Sequence, residues 1–221
     1  MLRLDNIRVG DVLKGLNLTV SSGERVLVIG GNGAGKTTLF GVIAGKIAPN
    51  AGEVYIEGRN VTELSEGCRT RVISSILQDV RAGMIGEMTI LENLRLACMR
   101  GGGNRVCRLT LEACMERLNV FGMNLANRRR EYVKNLSGGE KQVLSIVMAT
   151  SADYKLLLLD EVTAALSRAT SEAVMSSIER ITTMENKTCL MITHDIRYIN
   201  SFGDRTVELK NGTLSEVARD G

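Results

Sequence analysis

Val26-Leu27-Val28-Ile29-Gly30-Gly31-Asn32-Gly33-Ala34-Gly35-Lys36-Thr37-Thr38 is the stretch that decides how this chain folds. Four uninterrupted apolar residues read as a buried strand, and the glycines after them end it in a loop. Residues 30–37 satisfy G-x-x-x-x-G-K-[ST]. Glycines at these places let the backbone curl so that successive N–H groups face phosphate oxygens, and the helix that follows adds its positive end. The candidate nucleotide-binding residues are therefore Gly30, Gly31, Asn32, Gly33, Ala34, Gly35, Lys36, Thr37 and Thr38. Lys36 would reach the β- and γ-phosphates, and the Thr37 hydroxyl would ligate Mg²⁺. The bland alternative is a Gly-rich turn with a chance lysine. A random match in a chain of this length is on the order of one in a hundred, and a strand before it with a Leu39, Val42, Ile43 helix face after it lowers that further. The cradle alone does not separate a kinase from a GTPase or a transport ATPase.

Working outward, Leu156-Leu157-Leu158-Leu159-Asp160-Glu161 reads as a second buried strand that delivers two carboxylates at its carboxyl end. Taken alone it is an ordinary core strand; downstream of a phosphate cradle, Asp160 is a candidate for the Mg²⁺ shell and Glu161 for polarising the attacking water. Cys189 to Thr193 is another strand, and Gly52 to Gly58 alternates like a half-exposed one. The middle of the chain is helical in pattern. Thr89-Ile90-Leu91-Glu92 has capping-box spacing, and Leu111, Cys114, Met115 and Leu118 fall on one helix face. Gly101, Gly102 and Gly103 break the pattern between them. Strands alternating with helices predict an α/β fold with a mainly parallel sheet covered on both faces. The whole of 1–221 reads as a single domain, with a helical insertion at about residues 79–148.

Composition sets the outer limits. The chain has 221 residues, enough for a sizeable core, and with 3% aromatics that core must come from Leu, Ile, Val, Ala and Met. A formal net charge of +3 is too small to point to nucleic acid. Five scattered cysteines without a Cys-x-x-Cys pair predict reduced thiols rather than a disulfide framework. No apolar run approaches the roughly 18 residues of a membrane span, and the first residues lack a signal peptide's apolar core. A soluble chain is expected, so any role at a membrane requires other chains.

Leu136-Ser137-Gly138-Gly139-Glu140-Lys141-Gln142 narrows the reading further. Ser137 and Glu140 have capping-box spacing, two glycines keep the approach to the helix end open, and Val143, Leu144, Val147 and Met148 anchor the other face. The run closely resembles the ABC signature motif, which usually has Gln at its fifth position. Gln78 matches the glutamine at the entry to that family's helical subdomain, and His194, the only histidine, matches its switch histidine after a strand. In this order, from about Leu2 to Gly212, the motifs resemble the ATP-binding subunit of an ABC transporter. Details such as Met88-Thr89-Ile90-Leu91-Glu92-Asn93-Leu94 are similar to a bacterial subgroup of tryptophan/tyrosine-type or uncharacterised uptake systems.

The resemblance implies a P-loop core, a small N-terminal antiparallel β subdomain and an inserted helical subdomain. It implies ATP and Mg²⁺ as cofactors, catalysis by Glu161, His194 and Lys36, and Mg²⁺ contacts from Thr37, Gln78 and Asp160. It implies a homodimer or paired nucleotide-binding subunit, in which Leu136, Ser137, Gly138, Gly139 and Glu140 of one copy face the ATP of the other. The remaining partners implied are an integral membrane permease, contacted through Arg81, Met84, Ile85 and Met88, and an extracytoplasmic solute-binding protein. The chain would be peripheral on the cytoplasmic face of the membrane, working in a small-solute importer. A soluble ABC-type ATPase and a weakly hydrolysing regulatory subunit are the alternative readings. Two departures from the family pattern stand out. No aromatic precedes Phe40 to stack adenine, so Ile7 or Arg8 is expected beside the base. Ser167 stands where the family has an Asp that communicates across the dimer.

Overall fold

A computed structural model describes residues 1–76, 83–99, 110–121, 123–164 and 166–218. In chain order the elements are β1 (Leu2–Val9), β2 (Leu13–Val20), β3 (Arg25–Ile29), α1 (Lys36–Ala44), β4 (Ala51–Ile56), β5 (Arg59–Asn60), α2 (Glu66–Arg69) and β6 (Ile73–Ile76). There follow α3 (Ile90–Met99), α4 (Leu111–Val120), α5 (Gly138–Ser151), β7 (Leu156–Asp160), α6 (Arg168–Met184), β8 (Thr188–Ile192), β9 (Arg205–Lys210) and β10 (Thr213–Val217). Two compact units result. One comprises residues 1–75, 155–161 and 181–221, and the other residues 76–154 and 162–180.

The first unit is built on two sheets. A four-stranded antiparallel sheet runs in the order β2-β1-β4-β5, the small N-terminal β subdomain expected from the resemblance. The larger sheet has the order β10-β9-β3-β8-β7-β6, with β9-β3-β8-β7 parallel and β10 antiparallel at the edge. The α/β fold and its mainly parallel sheet are thus as the sequence predicts.

The strands β7 and β8 are buried at every position, which is why they read as unbroken apolar runs rather than alternating ones. Val26, Leu27 and Val28 are fully buried, each worth about 1.5–3 kcal/mol relative to exposure. Leu39, Val42 and Ile43 of α1 are fully buried too, and they join the same core as the inner face of the small sheet. Helix α1 ends at Gly45, whose φ of 81° only glycine adopts without strain.

The register of the large sheet decides where chemistry can happen. Val28 lies level with Ile192, and Ile192 lies level with Asp160. The carboxyl ends of β3, β8 and β7 therefore open on one edge, beside the place where the chain order reverses around β3. Ligands of open α/β sheets bind at such an edge.

The second unit is helical. Helices α3 and α4 each pack against α5 and against one another. The Thr89 capping box forms as predicted: the Thr89 N–H donates to Glu92 Oε2 at 2.7 Å, and the Glu92 N–H donates to Thr89 Oγ1 at 3.2 Å. Cys114 and Leu118 are the buried members of the predicted α4 face.

Candidate phosphate site and signature loop

The loop after β3 takes its shape from glycine. Gly33 and Gly35 have φ of 76° and 101°, in the left-handed region. A Cβ on Gly30 would stand 2.5 Å from the Leu209 carbonyl oxygen. Gly31 lies in open space with an ordinary φ, so the fold itself does not ask for glycine there. Lys36, in the first turn of α1, is buried, and its ammonium donates to Gly30 O at 2.7 Å and Gly31 O at 3.0 Å. Two of its three N–H donors are thus used to hold the cation over its own loop. Thr37 is exposed at the start of the same helix and Thr38 is half-buried.

Across the sheet edge, Asp160 ends β7 as a buried carboxyl. Burial and the neighbouring Glu161 charge push its proton affinity above the usual carboxylate value, while the Lys36 ammonium pulls it down. Glu161 has a φ of 49°, uncommon for a side-chain-bearing residue, and its N–H donates to Ile192 O at 3.0 Å. Strain of this kind is stored where the surroundings hold it, and functional sites are where it gathers. The result aims the carboxylate at β8: Glu161 Oε1 stands 3.2 Å from His194 Nδ1. His194 is largely exposed and follows Thr193, whose hydroxyl accepts the Asp195 N–H at 3.0 Å. Lys36, Asp160, Glu161 and His194 therefore all come from loops and ends on one edge of one sheet. Hard oxygen donors from the Thr37 hydroxyl and the Asp160 carboxylate suit Mg²⁺.

In the helical unit, Ser137 caps α5 as the sequence predicts. The Ser137 N–H donates to Glu140 Oε2 at 2.8 Å, and the Glu140 N–H donates to Ser137 Oγ at 3.3 Å. Val143, Leu144 and Val147 are fully buried behind the helix, and Leu136 is buried in front of it. Glu140 does more than cap. Its Oε1 accepts Arg128 Nη1, and Arg128 also forms a two-pronged pair with Glu131 at 2.7 and 2.9 Å. Burial raises the Glu140 proton affinity, yet the Ser137 N–H and the Arg128 guanidinium outweigh it, so the group sits below the usual range. A carboxylate at this position, in place of the family's usual Gln, thus has a charged partner. Among the described residues, Gly138 has open space where a Cβ would go and Gly139 meets only ordinary contacts. Neither glycine has an unusual φ.

One expectation needs revision. Ile7 is fully buried in the core and cannot flank a base. The Arg8 guanidinium lies over Gly15, near enough that a Cβ there would be 3.1 Å from Nη2. The residue beside the phosphate loop is instead Val12, in the turn between β1 and β2: it is 41% exposed, and its Cγ1 would be 2.8 Å from a Cβ on Gly35. Gln78 and Arg81 lie outside the described residues. Ile85 is exposed and Met84 and Met88 are half-buried. Ser167 caps α6, accepting the Thr170 N–H at 3.3 Å.

Two residues that hold these features were missed. Asn93 is buried and clamps the turn carrying Ile85, accepting the Ile85 N–H at 2.8 Å and donating to the Ile85 and Thr89 carbonyls at 3.0 Å. An Asn on the apolar side of a helix is the signal that could have found it. Arg69 is buried and donates to the carbonyls of Val42, Ile43, Thr62 and Leu64, so it satisfies the last carbonyls of α1.

This geometry agrees with the comparisons to known proteins. The family model described as ABC transporter matches residues 13–164. A tyrosine transport ATP-binding protein of Clostridioides difficile is 35% identical over 217 residues, covering 95% of this chain and 84% of that protein. A methionine import ATP-binding protein of Mesorhizobium japonicum is 35% identical over 207 residues; it covers 92% of this chain, which spans only 55% of the longer relative. An ATP-binding cassette solved as a dimer after hydrolysis, bound to ADP and Pi, superimposes with a TM-score of 0.82 at 27% identity over 100% of both chains. With Lys36 in the phosphate loop and Asp160-Glu161 ending the adjacent buried strand, the chain belongs to the ABC transporter family, as an ATP-binding subunit that hydrolyses ATP.

Proposed function

We propose that two copies pair head to tail, each ATP held between the Lys36 cradle of one copy and the Ser137-Gly138-Gly139 loop of the other. The observation that supports this reading is a pair of features with the chemistry of anion sites. The Lys36 loop shares a sheet edge with Asp160, Glu161 and His194. Gly138 leaves space at the start of α5 that no described residue fills, and Gly139 beside it meets only ordinary contacts.

In this reading the loop N–H groups from Gly30 to Thr38 bind the β- and γ-phosphates, and Lys36 turns from its own carbonyls toward them. The Thr37 hydroxyl, the Asp160 carboxylate and Gln78 would hold Mg²⁺, which neutralises charge on the transferred phosphoryl group. Glu161 orients and deprotonates the attacking water, and His194 steadies Glu161 and reaches the γ-phosphate. Leu136 and Glu140 set the signature loop that closes over it. Phosphoryl transfer of this kind is mostly positioning and charge stabilisation.

The work drives an integral membrane permease at the cytoplasmic face of the membrane, to which the chain binds peripherally. Among the described residues no helix is long and apolar enough to cross a membrane. The exposed Ile85, with Met84 and Met88 close to it along the chain, is the proposed contact, with Arg81 a further candidate by sequence alone, and residues 79–148 act as the helical insertion that carries it. The substrate class is a small solute, with amino acids favoured by the names of the tyrosine and methionine relatives. An extracytoplasmic solute-binding protein completes the importer.

A tagged pull-down from detergent-solubilised native membranes tests the coupling. Recovery of a multi-span protein with the chain, released by Ile85→Asp, is the expected result. Soluble partners alone would move the function to an ATPase not coupled to transport.

A further inference from the structure

The helical unit places two thiols side by side. Cys98, in the last turn of α3, and Cys114, in the first turn of α4, have their sulfurs 3.9 Å apart. Cys98 is half-buried and Cys114 is fully buried. The other described cysteines stand apart: Cys68 is exposed on α2 and Cys189 is buried in β8. A half-accessible thiol poised against a second, sheltered one is the arrangement of a reversible thiol switch, in which the first sulfur meets the oxidant and the second resolves it.

We propose that Cys98 and Cys114 form a peroxide-responsive disulfide that ties α3 to α4. The co-reactant is a peroxide, hydrogen peroxide or an organic hydroperoxide. The Cys98 sulfur attacks one peroxide oxygen, the O–O bond breaks, and the other oxygen leaves as water or an alcohol, taking the thiol proton. Cys98 is then a sulfenic acid. The Cys114 sulfur attacks Cys98 Sγ, the S–S bond forms, the S–O bond breaks, and hydroxide leaves as water with the Cys114 proton. Two electrons and two protons pass from the thiol pair to the peroxide, and a dithiol reductant reverses the change. The sulfurs must close from 3.9 Å to about 2.05 Å, a shift within reach of side-chain rotation and a small adjustment between two helices. Both helices pack on α5, so the bond would brace the support of the signature loop.

The test treats the purified chain with hydrogen peroxide. Remaining thiols are then blocked in denaturant, so that buried and exposed ones react alike, and peptides are mapped by mass spectrometry with and without dithiothreitol. The expected result is one intramolecular Cys98–Cys114 linkage, lost with dithiothreitol, while Cys189 stays blockable throughout. Cys98→Ser, at the more accessible position, should abolish the linkage without affecting folding, as judged by circular dichroism. The proposal is overturned if both thiols remain blockable, if Cys98 pairs with Cys107 or Cys68 instead, or if Cys98 advances to sulfinic acid without pairing. Wild-type mapping decides the matter even if a variant folds poorly.

Discussion

Glu161 Oε1 and His194 Nδ1 stand 3.2 Å apart, brought together by parallel pairing of β7 with β8 rather than by nearness in sequence. Glu161 reaches this position with a φ of 49°, while its carboxylate is mostly sheltered and His194 is mostly exposed. A carboxylate that activates water contributes about 10²–10⁴-fold to a rate. We therefore expect Glu161→Gln to lower ATP turnover by about that factor while leaving ATP binding intact. Turnover by phosphate release, with binding by equilibrium dialysis, checks it. An unchanged rate would remove Glu161 from the catalytic assignment.

Gly138 opens α5 at an ordinary helical φ, with no described side chain near the place a Cβ would occupy. Gly→Ala at a compatible position stabilises a protein by about 0.4–1 kcal/mol, chiefly through the unfolded chain. If the space serves the γ-phosphate of a partner copy, Gly138→Ala should raise the denaturation midpoint and still cut turnover at least about tenfold. A stable variant with full activity would mean the glycine has no ligand to admit.

How far the sequence reaches is clearest from particular residues. The Lys36 loop, the Asp160-Glu161 strand end and the Ser137 cap were all legible, because each is a local pattern whose chemistry dictates its residue types. Their meeting was not. That Asp160, Ile192 and Val28 lie level is a matter of register between distant strands. Helix α6 is weakly marked in the sequence: Val174, Met175, Ile178 and Ile181 form its buried face, but Ser and Thr, poor helix formers, are interleaved among them. Edge strand β10 is largely exposed, so it carries little alternation to read. Ile7 was misplaced beside the base because the turn after β1 is short, and only the fold reveals that Val12 comes back against Gly35.

That turn leads to a prediction on base selectivity. Val12 offers an aliphatic surface where a stacking ring would otherwise contribute about 1–3 kcal/mol per base. The wild-type chain should bind ATP and GTP with comparable affinity, and Val12→Tyr should tighten ATP binding by roughly tenfold or more. Competition between the two nucleotides against a fluorescent analogue measures both. A strong ATP preference in the wild type would place another residue at the base.

Ser167 caps α6 at the position where the family pattern has Asp. As the cap of α6 it is interchangeable with Asp, since both rank among the best N-caps. Ser167→Asp should leave stability within about 0.5 kcal/mol of wild type. If the proposed head-to-tail pairing places this position at the dimer face, the new carboxylate should also steepen the dependence of turnover on ATP concentration. A change in stability without a change in steepness would leave Ser167 a cap and nothing more.

Arg69 closes the far end of α1, the helix that follows the phosphate loop. Its guanidinium donates to Val42 and Ile43 at 2.7 and 2.9 Å, closing the far end of the helix whose first turn carries Lys36. It also ties that end to Thr62 and Leu64 at 2.8 and 2.9 Å. Burial disfavours its charge, and among the described residues its acceptors are four backbone carbonyls. Arg69→Leu would orphan two helix-end carbonyls at roughly 1–3 kcal/mol each. A loss of about 3 kcal/mol or more in urea denaturation is expected. Arg69→Lys should recover only part of it, because an ammonium lacks the planar fork that spans four acceptors. Full recovery by lysine would show that charge, and not the geometry of the donors, is what α1 requires.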